Sequence, residues 1–383
     1  MRRPYRAYLW RQVLAVGAGA AALASFNLIV DPYRAYRLFV SPELERFKNT
    51  AVTRRTKAEM MRHGDWDLVF LGSSRTEAGF DAEHPALGGR RAFNLGLSGT
   101  SLPEVEGALR YALAQGSVRT VLLLAEFELF RDDASLGDDF RHSPFHDEYG
   151  RLEYHGSNLF GMQATEHSLR TLADYAAGRV AIHDRYGRMV FPLRGFETGH
   201  AALFRRALLG HGSLYAFRYA PPEVERFEDM VDACLAGGVD VVVAIAPAHA
   251  LALVTYERQG LWPAWEGWKR AIAAAVERRN RAHPDRGPAR LLDFAGFSPY
   301  ACEPVPRDPS GSMRWYWDPT HFKKELGDVL LERMFGGAPA DGDFGAPLRP
   351  DSVDALLARQ NDERIRYAAA HGEDVRLLDP PAP

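Results

Sequence analysis

Residues 67–74 read Asp-Leu-Val-Phe-Leu-Gly-Ser-Ser, an apolar run that stops at one glycine and two serines. The run predicts a buried β-strand, and Gly72 marks the point where the strand ends. Similar apolar runs occupy residues 92–95, 118–125, 239–246 and 290–294, with amphipathic helical patterns between them. This alternation predicts an α/β domain in which helices cover both faces of a parallel sheet.

Ser74 lies directly after the first predicted strand, at the edge where open α/β sheets build their sites. A helix that begins there would point the backbone N–H of Ser74 at a substrate oxygen. Gly99, after the second strand, is a candidate second donor, because a residue without a side chain lets an oxygen approach its backbone. Taken alone, Gly-Ser-Ser is more typical of a strand-to-helix turn with a capping serine.

Asp318-Pro319-Thr320-His321 places a carboxylate and an imidazole three residues apart, just before a predicted last helix at 322–335. Pro319 suits the first turn of that helix. Serine acyl chemistry needs a nucleophile, a base and a carboxylate that orients the base. We therefore predict Ser74 as nucleophile, His321 as base and Asp318 as its partner. Taken alone, the tetrapeptide also fits an Asp helix cap and a surface histidine.

Other residues near these motifs are candidates for substrate contact. Trp315 and Trp317 offer flat apolar faces for sugar rings, and core packing explains them equally well. Arg75 and Arg314 fit an anionic group on the substrate. His249 follows the strand at 239–246, where it either touches substrate or serves the structure.

The N-terminus carries an uncharged apolar stretch, residues 13–30, preceded by four arginines. Its length is near the lower limit for a membrane-spanning helix, so we predict a stub and anchor at 1–31. Ala22-Leu23-Ala24 resembles a small-residue cleavage site, which keeps a cleaved signal peptide as an alternative. Basic residues flank both ends, and only the short leading tail predicts a cytoplasmic N-terminus with the main domain outside.

After the anchor we predict a connector at 32–64 and an α/β domain at 65–337. That domain is interrupted by an insertion at about 130–220, expected to form a lid or substrate wall, and is followed by a linker and polar tail at 338–383. The net charge of −3, without a basic stripe, argues against nucleic acid as a partner. No metal or cofactor is predicted. Cys234 and Cys302 leave one disulfide or two free thiols open.

The motifs resemble those of the SGNH hydrolase superfamily. Residues 71–74 (LGSS) resemble its first block, with Ser74 as nucleophile, and residues 94–99 (NLGLSG) its second, with Gly99 as the oxyanion glycine. Residues 318–321 resemble its fifth block. The resemblance covers 67 to about 335, apart from the insertion. It implies a flavodoxin-like three-layer sandwich with a parallel sheet, and acyl transfer or ester hydrolysis on a serine.

With its anchor, the chain further resembles envelope proteins of alginate-type exopolysaccharide O-acetylation and the D-alanyl transfer proteins of teichoic acid systems. This resemblance implies a single-pass protein of the bacterial cytoplasmic membrane, with its main domain on the periplasmic or extracellular side. The function expected is a serine-dependent acyltransferase or esterase acting on acyl, above all acetyl, esters of an envelope polysaccharide. A membrane-bound acyl-donor protein is the expected partner.

One block departs from the superfamily pattern. Its third block ends the third strand with Gly-x-Asn-Asp, whose Asn donates to the oxyanion, whereas this chain reads Ala125-Glu126-Phe127-Glu128. Asn94, Arg75 or a group from the insertion are candidate replacement donors. The departure supports an alternative: a catalytically inactive SGNH-like domain that binds glycans or acts as a scaffold in an envelope export or modification machine.

Overall fold

The structure is a computed structural model, and it describes residues 3–48, 53–179, 182–190, 199–210, 217–337 and 342–379. The chain forms two compact units. Unit 1 comprises Met1–Gly64 and Asp138–Arg185, and unit 2 comprises Asp65–Gly137 and Tyr186–Pro383. The grouping of 138–185 with the N-terminal segment differs from the predicted insertion at about 130–220 in the α/β domain. Residues 180–181, 191–198 and 211–216 of the predicted insertion lie outside the described residues.

Unit 2 is built on a mixed but mostly parallel sheet. Its described strands are β1 (Leu68–Leu71), β2 (Ala92–Asn94), β3 (Thr120–Ala125), β4 (Asp240–Ile245), β5 (Arg290–Asp293) and β6 (Ala346–Pro347). They are ordered β2-β1-β3-β4-β5-β6, and only β6 runs antiparallel to its neighbour. The predicted α/β architecture with a parallel sheet is confirmed at this level.

The apolar runs form strands because both of their faces are covered. Every residue of β1, β2 and β3 is buried, as expected for continuous apolar runs in a parallel sheet. Leu71 pairs with Leu123, so β1 ends beside β3. Pro347 lies in the edge strand β6, where a residue without an N–H group is tolerated. The carboxyl ends of β1 and β3 therefore meet at one edge of the sheet.

The described helices of unit 2 surround this sheet. They are α4 (Ser74–Gly79), α5 (Leu102–Ala114), α9 (His200–Arg205), α10 (Pro222–Ala236), α11 (Ala250–Arg258), α12 (Trp262–Ala282), α13 (Lys324–Met334), α14 (Val353–Ala370) and α15 (Gly372–Val375). Helix α10 packs against both α5 and α12, and α13 packs against α4. Cys234, buried in α10, and Cys302 are free thiols, and burial raises the pKa of each to about 12.

The segment predicted as a linker and polar tail contributes to unit 2. It supplies β6 and α14, while residues 338–341 and 380–383 lie outside the described residues. Gln360 of α14 is buried and accepts a hydrogen bond of 2.9 Å from Lys269 of α12. Lys269 also pairs with Asp293 at the end of β5, at 2.6 Å. A buried polar cluster thus ties α14 to the sheet.

The named secondary-structure elements in the described part of unit 1 are all helices. Its helices are α1 (Arg3–Val30), α2 (Pro42–Glu45), α3 (Thr53–His63), α6 (Asp138–Arg141), α7 (Arg151–Phe160) and α8 (Met162–Ala176). Residues Tyr5–Val30 of α1 are long and apolar enough to cross a membrane, judged by length and composition. Helices α7 and α8 pack against α1 and against each other. The connector contributes α2 and α3.

Candidate active site

The turn between β1 and α4 presents Ser74. The hydroxyl of Ser73 caps α4 by accepting a hydrogen bond of 3.1 Å from the backbone N–H of Arg75. Ser74 is the first residue of α4, where backbone N–H groups have no partner within the helix. The two interpretations of Gly-Ser-Ser, a capping serine and a nucleophile, therefore apply to different serines. Ser73 is the cap, and the hydroxyl of Ser74 does not serve as the cap.

Ser74, His321 and Asp318 form one hydrogen-bonded chain. Ser74 Oγ lies 2.7 Å from His321 Nε2, and His321 Nδ1 lies 2.7 Å from Asp318 Oδ2. Neutral histidine carries its proton on Nδ1 when a carboxylate accepts there, which leaves Nε2 as the acceptor for the serine proton. The structure thus brings together the three residues predicted as nucleophile, base and orienting carboxylate.

Asp318–His321 forms a tight turn, and the prediction that a helix begins there is wrong. Asp318 Oδ1 accepts hydrogen bonds from the backbone N–H groups of Thr320 and His321, each at 2.8 Å. Such local bonds between side chain and backbone compete with helix formation. The turn lies in a small hairpin in which Tyr316 pairs with Phe322, and α13 begins at Lys324.

The electrostatics of the pair favour a charged Asp318 and a more basic His321. Burial lowers the pKa of His321, but the Asp318 carboxylate outweighs it, and the net pKa is raised above its usual value. Burial opposes ionisation of Asp318, yet His321 and the two backbone N–H groups hold its pKa well below the usual range. A carboxylate that stays ionised is what an orienting partner of histidine requires.

Close packing of α4 on α13 fixes the distance between the serine and the histidine. A Cβ added at Gly327 in α13 would lie 1.9 Å from the backbone oxygen of Gly79 in α4. A Cβ at Gly79 would in turn lie 2.0 Å from the ring of Phe322, which directly follows His321. Only glycine allows this approach. Helix α4, which begins at Ser74, and helix α13, which follows His321, are therefore held in one register.

We expect Gly327→Ala to separate α4 from α13. Overpacking of this kind costs about 1–3 kcal/mol, so the free energy of unfolding should fall by that amount in a urea titration. Gly267→Ala is the matched control, because a Cβ there meets nothing within 4 Å in the middle of α12. That control should be neutral or stabilising. Equal effects of the two substitutions would contradict the packing argument.

Arg75 is not available for substrate, contrary to the prediction. Its guanidinium is buried, with Nη2 2.5 Å from Glu128 Oε1 and Nε 3.3 Å from Glu126 Oε2. Ser73 Oγ donates to Glu126 Oε2 at 2.7 Å, and the Tyr256 hydroxyl donates to Glu128 at 2.6 Å. These five residues, the Arg75 cluster, lie directly behind the turn that carries Ser74.

The two glutamates of the Arg75 cluster differ in acidity. Burial raises the pKa of Glu126, and the charge of Arg75 offsets only part of this effect. For Glu128, the charge of Arg75 and the Tyr256 hydroxyl outweigh burial and lower the pKa. The charge of the single buried arginine therefore stabilises the ionised form of Glu128 more than that of Glu126. The acidic residues at the end of β3 are bound within the protein and are not directed at Ser74.

Asn94, predicted as a candidate oxyanion donor or substrate contact, and His249, for which a structural role was the alternative to substrate contact, both have structural roles. The Asn94 amide is fully buried and donates to the carbonyl groups of Thr76 at 2.8 Å and Phe80 at 2.9 Å. His249 is fully buried as well, and its Nε2 lies 2.7 Å from the carbonyl oxygen of Glu303. Burial lowers the pKa of His249 to about 4, so it stays neutral near pH 7.

The remaining predicted residues lie at the surface of unit 2. Gly99 is exposed with φ of +60°, and an added Cβ would meet nothing within 4 Å, so its backbone conformation is what favours glycine. The Arg314 guanidinium stacks 4.2 Å from the ring centroid of Trp315. Lys323 Nζ lies 4.2 Å from the ring centroid of Trp317. Each half-buried tryptophan thus has one face covered by a cation.

Trp317 also borders a small cavity of about 160 Å³. The cavity lies between α4 and the start of α13, and its other lining residues are Ala78, Arg188, Met189, Val190, Lys324 and Glu325. A larger cavity of about 520 Å³, between α12 and the β5–β6 edge, contains none of the predicted site residues. The space beside Trp317 is therefore the better candidate for holding part of a substrate.

Sequence reasoning missed the supporting residues of this site. Glu126 was noted only as part of the departure in the third block, and Ser73, Tyr256, Gly79 and Gly327 were not singled out as supporting residues. The signal in the sequence was weak, because a buried Arg–Glu pair joins residues far apart in the chain. Neither a scan against protein-family models nor a search of curated proteins finds a match to this chain.

Proposed function

We propose that this protein is a membrane-anchored, SGNH-like acyltransferase or esterase that works through Ser74. The observation that carries the proposal is the chain of two 2.7 Å contacts that joins Ser74, His321 and Asp318. The strand order β2-β1-β3-β4-β5 is also that of flavodoxin-like sheets, which supports the proposed fold.

In the proposed reaction, Ser74 Oγ attacks the acyl carbon of an ester while its proton moves to His321 Nε2. His321 then returns this proton to the departing alcohol oxygen, and an acyl-Ser74 intermediate remains. Water or a sugar hydroxyl next attacks the acyl carbon and gives its proton to His321. The bond between Ser74 Oγ and the acyl carbon then breaks, and His321 returns the proton to Ser74 Oγ. Asp318 stays ionised throughout and stabilises the protonated imidazole.

The backbone N–H of Ser74 is the proposed first donor to the oxyanion, and Gly99 remains the predicted second. The superfamily's third donor is an Asn side chain at the end of the third strand. At that position this chain has Glu126 and Glu128, and both belong to the Arg75 cluster. Loss of one oxyanion donor costs about 3–4 kcal/mol in known cases. We therefore propose an enzyme that is slow on simple esters and depends on a bound substrate for its rate.

The anchor suggests where this chemistry takes place. With α1 spanning the bacterial cytoplasmic membrane and unit 2 outside, the enzyme would meet acetyl esters of an envelope polysaccharide. Acyl-coenzyme donors are confined to the cytoplasm, so a membrane-bound acyl-donor protein is the proposed partner. Trp317, beside the small cavity and next to Asp318, is the proposed stacking residue for a sugar ring.

Labelling with a fluorophosphonate tests the proposal. We expect the folded protein to form one adduct, and peptide mapping to place it on Ser74 and not on the neighbouring Ser73, whose hydroxyl is bound to Glu126. Ser74→Ala should not label. Ser310→Ala, which alters an exposed serine, should label at the wild-type rate.

The alternative function is a catalytically inactive SGNH-like domain that binds glycans or acts as a scaffold. The missing Asn of the third block is the observation in its favour. Absence of an adduct in a sample with a cooperative unfolding transition would support this alternative. An adduct on Ser73 would contradict both the proposed nucleophile and the role of the Arg75 cluster.

A further inference from the structure

Large apolar side chains are exposed mainly in unit 1. Among the described residues of unit 2, three such side chains are exposed, namely Val190, Leu209 and Ile365. Unit 1 exposes many more, and even outside α1 they include Leu38, Phe39, Val40, Leu152, Phe160, Met162, Leu169, Leu172 and Tyr175. Exposed apolar patches of this kind mark surfaces that contact a membrane or another protein.

Helices α7 and α8 form a hairpin that packs on the last part of α1. The covered face of α1 runs from Ala20 through Leu23, Ala24 and Asn27 to Val30, at helical spacing. Ten residues of helix measure about 15 Å, so the hairpin lies beside a substantial part of the apolar stretch. The hairpin therefore reaches a depth at which α1, as a membrane span, is surrounded by lipid.

Asn27 fastens the hairpin to α1. Its side chain is fully buried, and its amide donates to the carbonyl of Leu159 at 2.9 Å and to Thr165 Oγ1 at 3.0 Å. Ser168 Oγ donates to Asn27 Oδ1 at 2.9 Å. A polar side chain in an apolar helix is costly in lipid unless its hydrogen bonds are satisfied by protein. These bonds make the end of α1 a part of folded unit 1.

The direction of the hairpin follows from its contacts. The ring of His155, in the middle of α7, packs on Tyr36 beyond the end of α1, whereas Leu159, late in α7, contacts Asn27 within α1. Helix α8 begins near Asn27 and ends where Tyr175 packs on Phe47. The tip, residues 160–162, is thus the part of the hairpin nearest the middle of α1.

We propose that the tip of the α7–α8 hairpin inserts into the lipid leaflet from which α1 emerges. Phe160 and Met162 are exposed on this tip, 52% and 87% respectively, with Gly161 between them. The occupant of this apolar surface is lipid, because the surface is continuous with the lipid-facing surface of α1. Unit 1 then enters the membrane at two places, through helix α1, which spans it, and through the tip of the α7–α8 hairpin. The proposal rests on α1 as an anchor and is independent of the chemistry of Ser74.

Depth-dependent fluorescence quenching in lipid nanodiscs tests the proposal. The full chain, with Cys234→Ala and Cys302→Ala, receives a single cysteine at Met162, Leu152 or Ile365 for an environment-sensitive fluorophore. Leu152 is exposed near the start of α7, and Ile365 is an exposed apolar residue of unit 2. Discs holding one copy of the protein contain either ordinary phospholipid or phospholipid with a nitroxide on its acyl chains.

We expect the label at Met162 to be blue-shifted and quenched several-fold more than the label at Ile365, with Leu152 between them. Equal, weak quenching at Met162 and Ile365 would overturn the proposal. Protection of Met162 only in discs that hold two copies would assign the surface to a second copy of the chain. Strong blue shift at Met162 without nitroxide quenching would assign it to packed protein. The last two results also overturn the insertion into lipid.

Discussion

Replacing Asp318 with Asn is expected to slow the acylation of Ser74 by about 10⁴-fold. The amide would donate towards His321 Nδ1, which favours the tautomer with its proton on Nε2. That tautomer cannot take the proton of Ser74, although the contact of 2.7 Å between them could persist. The amide oxygen can still accept from the backbone N–H groups of Thr320 and His321, so the turn should survive. The rate of fluorophosphonate labelling measures the effect.

The pH dependence of labelling separates this role from a structural one. His321 must be neutral to act as base, and Asp318 raises its pKa above the usual value of about 6.5. In the wild type, the labelling rate should therefore rise with pH and reach half of its maximum above that value. Without the carboxylate, burial and the charge of Arg75 lower the pKa of His321 more than Glu126 raises it. The residual rate of Asp318→Asn should therefore reach its midpoint at lower pH.

Asp308→Asn is the matched control, because Asp308 accepts from Ser310 in a similar turn without a histidine. It should leave both rate and midpoint unchanged. A labelling rate for Asp318→Asn within tenfold of the wild type would show that Asp318 does not orient His321.

Arg75→Met is expected to lower the free energy of unfolding by about 3–5 kcal/mol, because it leaves buried carboxylates without their cation. Glu126 and Glu128 are both buried, and the shorter contact, of 2.5 Å, is to Glu128. Urea unfolding of the detergent-solubilised chain measures the loss. Adding Glu128→Gln to the variant should recover part of the lost stability, because it removes the buried carboxylate that Arg75 stabilises most.

The stability loss of Arg75→Met should shrink as the pH falls. The pKa values of both glutamates rise when the arginine is removed, so the folded variant binds more protons than the unfolded chain. Its stability therefore falls as pH rises through those values. Arg91→Met is the control, since Arg91 also pairs with two carboxylates, Asp65 and Asp67, but at the surface. A control as destabilised as Arg75→Met would show that burial is not the cause.

The sheet could be predicted well because strands buried on both faces have an unambiguous pattern. The runs at 118–125 and 239–246 correspond to β3 and β4, with ends shifted by one or two residues. The two-residue strand β6 was missed, since Ala346–Pro347 has no apolar run and pairs only at the edge of the sheet. The grouping of 138–185 with the N-terminal segment was also missed, because amphipathic helices do not reveal which surface covers their apolar face.

The contact of Ser74 with His321 could be predicted from the motifs, whereas the contacts of nearby polar side chains could not. Arg75 and Asn94 were interpreted as contacts for a substrate or its oxyanion, and His249 was left open between substrate contact and a structural role. In the structure each has its hydrogen-bonding groups directed at buried protein partners. Sequence position indicates which edge of the sheet a residue lies near, but only the packed side chains decide whether it points outward.

The contact between Ser74 and His321 joins residues 247 positions apart. A chain made from its N-terminus therefore exposes the serine long before the imidazole that would activate it exists. Until α13 packs on α4, the hydroxyl of Ser74 has no imidazole beside it. If the proposed function is correct, a chain truncated before residue 321 should form no fluorophosphonate adduct.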